Sequence, residues 1–381
     1  MVKKSAIILL LLFLTVATAL FAGCTGPDAA AAETGDASGA GTITITDSLG
    51  REVEVPKNPE SVVCSGSGTL RYLTYLQAED KIVGVDDIEL RDISENRRPY
   101  ALANPQFRTD YPLIGEYRGN DDPEKIVAAG PEIIFKSDPT SSSEADKLQE
   151  KTGIPVVALL YGDMAEAEKD DMYYSLRLMG KVMGKEDRAE RVIEYFEDTI
   201  TDLRARTSDI PEDEIKTAYI GGISYRGGHG FQSTNPTYPP FAYVNVRNVA
   251  GSLGGTQTDV SKESILDWDT EYIFVDLGTW ELSPNAIDEL KTDDSFRILS
   301  AVKSGEVYGV LPYNSYTVNH GSMIADAYYV GSVVYPDRFS DINPEEKADE
   351  IFEFLVGAPV YDQLNKNIGK LGFTRVDVTA A

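Results

Sequence analysis

The sequence predicts an α/β protein of two Rossmann-like lobes joined by a single long helix. Three observations carry that expectation. Residues 186–206, EDRAERVIEYFEDTITDLRAR, place Ala189, Val192, Ile193, Phe196, Ile200 and Leu203 in one apolar stripe at helical spacing. Blocks of roughly equal size lie on either side, and in each strand-like and helix-like patterns alternate. One supersecondary unit occurs once in each block: DPEKIVAAGPEIIFK at 122–136 and SKESILDWDTEYIFV at 261–275 align without gaps.

The chain opens with the anatomy of an export signal over residues 1–23. Lys3 and Lys4 precede an apolar run at 6–20, and small Ala22 and Gly23 lead into Cys24. The run is short for a bilayer span. Its end, FAGC, resembles a lipobox, which implies that Cys24 is lipidated and becomes the new N-terminus. Residues 24–41 are low in complexity and nearly free of bulky apolar side chains, as in a flexible tether. About 340 residues remain, enough for two lobes with their own cores.

Composition narrows the function. A formal charge of -27 argues against a nucleic-acid partner, because phosphates require basic surface. With Cys24 acylated, the second cysteine, Cys64, has no disulfide partner and reads as a small buried residue. The two histidines and the lack of HExxH or CxxC spacing argue against a metal site built by the protein alone. No cofactor is implied. There is no G-x-S-x-G elbow. An exported carbohydrate-active enzyme using two carboxylates stays open as a reading of another class.

The first lobe, 42–184, begins with two alternating strands around a turn at Ser48, Leu49 and Gly50. A buried strand at 61–64 then runs through Ser65-Gly66-Ser67-Gly68 into a helix at 69–77. A Gly/Ser loop feeding a helix start exposes backbone N–H groups to an anion. It makes the loop from Ser65 to Arg71 a candidate contact, through Ser67 and Arg71. Strands follow at 81–85, 111–114, 132–136 and 155–159. Loops at 115–120, with Arg118, and at 136–140 lie after strand ends, where a mainly parallel sheet binds ligands. Asp122 and Pro123 cap and open a helix.

The connecting helix occupies 185–210, bounded by Gly184 and Pro211. The second lobe, 211–381, opens with a strand at 216–221. The insert at 223–243 then packs Tyr225, Arg226, His229, Phe231, Tyr238, Phe241 and Tyr243 between glycines and prolines. A loop so rich in flat, cationic and hydrogen-bonding side chains reads as a binding surface. Two more loops follow strands: 276–280, with Trp280, and 311–316, with Tyr313, Tyr316 and nearby His320. Helices are expected at 321–334 and 344–355.

Four segments resemble the lipoprotein solute-binding proteins of ABC importers for iron-siderophore, haem and cobalamin. They are TDSLGREVEVPKNPESVV, the unit ending AAGPEIIF, the linker MGKVMGKEDRAERVIEYF, and GEVYGVLPYNSY with VVYPDRFSDINPEE. The resemblance implies two α/β lobes joined by one long helix, with a ligand cleft between them. It implies that Glu124 and Glu263, one on each lobe, dock onto arginines of a permease. The partners it implies are a metal chelate or oxyanion, an ABC permease with its ATPase, and the membrane through a lipid anchor. The protein would be an extracytoplasmic monomer. Molybdate, tungstate or a corrinoid are alternative ligands within the same fold.

Overall fold

The computed structural model describes residues 41–165, 168–283 and 285–379. The expected export signal, Cys24 and all of the tether but its last residue lie outside the described residues.

The chain enters through an antiparallel hairpin, β1 (Thr42–Thr46) and β2 (Glu52–Pro56), with Thr42 opposite Pro56. The Asp47 carboxylate fixes its turn, accepting from the Leu49 and Arg51 amides at 3.0 Å. It also accepts from the Ala158 amide at 3.1 Å, which ties the hairpin to the first sheet.

That sheet comprises β3 (Val62–Ser65), β4 (Ile82–Asp86), β5 (Leu113–Glu116), β6 (Asn120–Asp121), β7 (Ile133–Ser137) and β8 (Val156–Leu159). The order across it is β6-β5-β4-β3-β7-β8, parallel except for the β6 edge. The strands β3, β7 and β8 are buried at every position, as expected of a parallel sheet covered on both faces. Alternate residues serve the two faces. Val63, Ile134 and Val156 join one cluster with Ile126 and Leu148, while Val62, Ile133 and Val157 join the main core.

Two helices carry the chain out of this sheet. The first, Lys169–Met183, was not anticipated from the sequence; it buries Met172, Leu176, Met179 and Val182. Gly184 turns the chain with φ 64°, and a Cβ there would lie 2.4 Å from Asn58 Oδ1, so only glycine fits. The second helix, Glu186–Thr207, is the expected spine. Its 22 residues give a rod of about 33 Å. All six residues of the apolar stripe are buried in a core that continues into both sheets.

The second sheet is built from β9 (Thr217–Gly221), β11 (Arg247–Asn248), β13 (Tyr272–Asp276), β14 (Val307–Val310) and β15 (Thr374–Arg375). Between them lies a small antiparallel pair, β10 (Ser233–Thr234) with β12 (Thr258–Asp259). The order is β11-β9-β13-β14-β15, parallel except at β15. The repeated unit is visible as structure. Helices Pro123–Ala129 and Lys262–Trp268 have equal length, and each is capped by a side chain, Asp122 or Ser261. Each ends at a left-handed residue, Gly130 or Asp269, before its strand.

The spine is not the sole tie between the lobes. Arg188 on it donates to the Tyr75 carbonyl at 2.8 Å and to the Phe354 carbonyl. The helices Pro344–Val356 and Tyr361–Asn367 close the chain, and Asn367 Nδ2 donates to the Ile93 and Asn96 carbonyls at 2.7 Å. Among the described residues no helix is long and apolar enough to cross a membrane.

Candidate ligand cleft

In each sheet the chain reverses its direction of growth at one point. In the first it is between β3 and β7, and in the second between β9 and β13. A crevice forms outside the carboxyl ends of the strands at such a point. The two crevices face one another as a cleft of about 660 Å³. Gly66 and Ser67 reach it after β3, and Ser137 and Asp138 at the end of β7. Residues Ser224 to Gly227 follow β9, and Gly278, Thr279, Glu281 and Leu282 follow β13. Ile88, Arg91, Arg97, Tyr117 and Arg118 complete the first lobe's wall, and the loop from Asn314 to Thr317 the second's.

Charge distinguishes this cleft from the rest of the molecule. Arg91, Arg97, Arg118 and Arg226 line it against two carboxylates, Asp138 and Glu281. The whole chain carries 35 basic and 62 acidic residues. An excess of guanidinium at one cleft of an acidic protein gives that cleft a local positive potential. Arg118 and Arg226 lie over the rings of Tyr117 and Tyr225, at 5.0 and 5.4 Å. The rings hold the cations out in the cleft and offer flat apolar surface beside them.

The backbone is strained at the same place. Eleven described non-glycine residues have left-handed backbone, and five of them line the cleft: Arg118, Asp138, Arg226, Tyr316 and Thr317. Each such residue costs on the order of 1 kcal/mol and persists where packing dictates it. For Tyr316 the packing is explicit. Its hydroxyl donates to Asp86 Oδ2 at 2.6 Å and accepts from the Arg118 amide at 3.1 Å, which closes one end of the cleft across the lobes. Burial pushes the Asp86 carboxyl up to about 7, and the Tyr316 hydrogen bond opposes that rise.

Of the residues singled out in the sequence, Ser67, Arg118, Tyr225, Arg226 and Tyr316 meet in the cleft. The others do not line it. Arg71 is buried and donates to the carbonyls of Val318 at 2.6 Å and Ser315 at 3.1 Å, to Asn319 Oδ1 at 2.7 Å and to the Tyr161 hydroxyl. It grips the second lobe's cleft loop and is not exposed to a ligand. The insert divides in two. Only its first residues face the cleft, while the rest folds under as β10 and a short helix, Pro239–Tyr243. Phe231 and Tyr238 therefore sit in the core. Phe231 packs edge-on against Tyr219 and Phe296, and the Tyr238 hydroxyl donates to Asp326. His229 lies on the exposed part but turns to Asp259 and the Tyr225 carbonyl.

The remaining three lie outside the cleft lining. The Trp280 ring covers Gly369, leaving no room for a Cβ. The Tyr313 hydroxyl donates to Asp163 in a neighbouring cavity of about 410 Å³. His320 is fully buried, stacked 5.0 Å from Tyr161, and burial holds its imidazole well below the usual range. Arg91 and Arg97, which line the cleft, were missed. They follow β4, and the carboxyl-end rule applied to the strand at 81–85 would have found them. Glu124 and Glu263 are exposed at matching positions of their helices, away from the cleft. Cys64 is free and buried, and burial raises its thiol pKa.

A two-lobed parallel α/β fold on a helical spine, open at facing switch points, defines a substrate-binding protein. Residues 62–313 match the periplasmic binding protein family, and the chain belongs to it. It is similar to the ABC transporter substrate-binding lipoprotein YvrC of Bacillus subtilis, 21% identical over 86% of this chain and 97% of that one. It is similar also to the petrobactin-binding protein YclQ of the same organism, 24% identical over 78% and 89%. Among solved structures, the molybdate-binding protein MolA of Haemophilus influenzae superposes with a TM-score of 0.66, at 18% identity over 83% and 98% of the two chains.

Proposed function

We propose that this protein captures an anionic metal chelate of the iron-siderophore type outside the cytoplasm and delivers it to an ABC permease. The concentration of arginine at the cleft carries the reading. The size of the cleft supports a chelate, because about 660 Å³ is a small-molecule volume and far more than a tetrahedral oxyanion fills. The petrobactin-binding and Fe(3+)-citrate-binding relatives point the same way. Likeness to MolA is likeness of fold. The lobes in this reading are 42–184 and 211–381, with 185–210 between them. Cys24 anchors the chain by lipid, and Glu124 and Glu263 face the permease. Cys24→Ser is expected to release the protein from membranes or leave it unprocessed. A processed variant that still partitions with membranes contradicts the anchor.

Titration calorimetry with ferric citrate, a ferric catecholate and molybdate tests the ligand class. At least one chelate is expected to bind and molybdate not. Arg118→Ala and Arg226→Ala are each expected to weaken that binding about tenfold, as loss of a charged hydrogen bond does. Tight molybdate binding with no response to chelates overturns the reading.

A further inference from the structure

Arg97 and Glu281 face each other across the cleft, one from each lobe. Arg97 Nη2 lies 2.6 Å from Glu281 Oε1. The two ends of this pair differ. Arg97 is only 7% exposed, and neither its Nε nor its Nη2 has a hydrogen-bond partner, so its contact with Glu281 is an ion pair without hydrogen-bond alignment. The Glu281 side chain is 42% exposed, on the short loop after β13, beside exposed Leu282. Glu281 thus covers the most deeply set guanidinium of the cleft, while Glu281 itself is held by little else. A buried guanidinium with an open donor favours a second, better-placed carboxylate. A carboxylate at a half-exposed ion pair is cheaply removed.

The geometry points to Glu281 as a built-in occupant of the anion site, a carboxylate that the ligand's own carboxylate displaces from Arg97. This rests on the anion-binding reading above and deepens it. The ligand group received by Arg97 is then a carboxylate, planar and able to use both Nε and Nη2. Glu281 sets a threshold. Weak monoanions do not displace it, and a chelate that meets several arginines at once does. Its negative charge also repels any anion that binds without moving it.

Two measurements separate this inference from the wider reading. In the first, thermal melts are followed in sodium citrate, which needs no knowledge of the natural ligand. Glu281→Ala is expected to be stabilised by citrate at concentrations that leave the wild type unmoved. The double variant Arg97→Gln, Glu281→Ala is expected to lose that response. Equal responses from wild type and Glu281→Ala, or a response that persists in the double variant, overturn the inference. In the second, Glu281→Gln is titrated with ferric citrate. Binding about three- to tenfold tighter than wild type is expected, the scale of an exposed ion pair plus one removed repulsion. Weaker binding would make Glu281 a ligand contact and overturn the inference. If the wild type binds no chelate, the proposed function fails while the citrate melts still decide the role of Glu281.

Discussion

The unit at 122–136 and its counterpart at 261–275 can be compared residue by residue. Their first parts do the same work. The Glu132 carboxylate accepts from the Ser61 amide at 3.3 Å while its own amide donates to the Ser61 hydroxyl at 3.1 Å. The Glu271 carboxylate accepts from the Thr217 amide at 3.2 Å, and its amide donates to the Thr217 hydroxyl at 3.5 Å. In each lobe one glutamate clamps the start of the central strand beside it. The units diverge at their last residue. Lys136 is buried and ion-paired with Asp121 at 2.7 Å, where the second lobe has Val275 in the core. Just beyond, Ser137 opens onto the cleft, whereas the Asp276 carboxylate turns inward to accept from the Gly278 and Tyr313 amides. The repeated part builds a lobe, and the part that differs shapes what the lobe presents.

The largest expected effect falls where the lobes are least alike. Arg71, from the first, donates to four acceptors of the second lobe, the Ser315, Tyr316 and Val318 carbonyls and Asn319 Oδ1. Arg71→Met is expected to cost about 3–5 kcal/mol in urea unfolding, since it leaves several buried acceptors unpaired. It is also expected to weaken ligand binding by freeing Tyr316. Unchanged stability would mean that Arg71 adds little to the joining of the lobes.

Next comes pH. Each lobe has a carboxylate at a strand's carboxyl end, Asp86 and Asp276, and burial pushes both up to about 7. Both lie above the ordinary aspartate value, so the folded protein holds protons that the unfolded chain releases. Their contribution is full at low pH and is lost as pH rises toward about 7. The melting temperature is expected to fall between pH 5 and pH 8. Asp86→Asn and Asp276→Asn, measured separately, show which lobe carries the slope. A slope unchanged in both removes them as its cause.

Smaller effects test the shared frame directly. Glu132→Ala and Glu271→Ala are each expected to cost about 1 kcal/mol in denaturant melts, similar to one another and additive in the double variant. Very different costs would break the equivalence of the units. Last, replacing both Glu124 and Glu263 with Ala is expected to leave chelate affinity within about twofold, because neither lines the cleft, while uptake by cells falls. A large loss of affinity would contradict a docking role.

The fold was legible because its signals are periodic or punctuated. The stripe from Ala189 to Leu203, the caps at Asp122 and Ser261 and the alternation of elements all survive in the structure. The helix Lys169–Met183 was passed over because its charged start carries no capping residue. The cleft was half legible. Loops after strands were found where glycines marked them, at Gly66 and Gly227. The segment bearing Arg91 and Arg97 is irregular coil with short turns, and no periodicity singles it out. In the insert, composition could not separate Tyr225 from Tyr238. Both are tyrosines among glycines and prolines, yet one lines the cleft and the other is sealed against Asp326 and Tyr313.

The tie made by Asn367 has a consequence for how the molecule matures. The carbonyls it holds, on Ile93 and Asn96, lie 274 and 271 positions earlier in the chain. Those residues lie between Arg91 and Arg97, within the coil that carries them. A chain that emerges N-terminus first therefore presents its arginine-bearing coil long before the side chain that fastens it has arrived. Contacts so distant in sequence form late and slowly. Competence to bind is then expected to be among the last properties this protein acquires, after both sheets have formed and only when its final helix has docked.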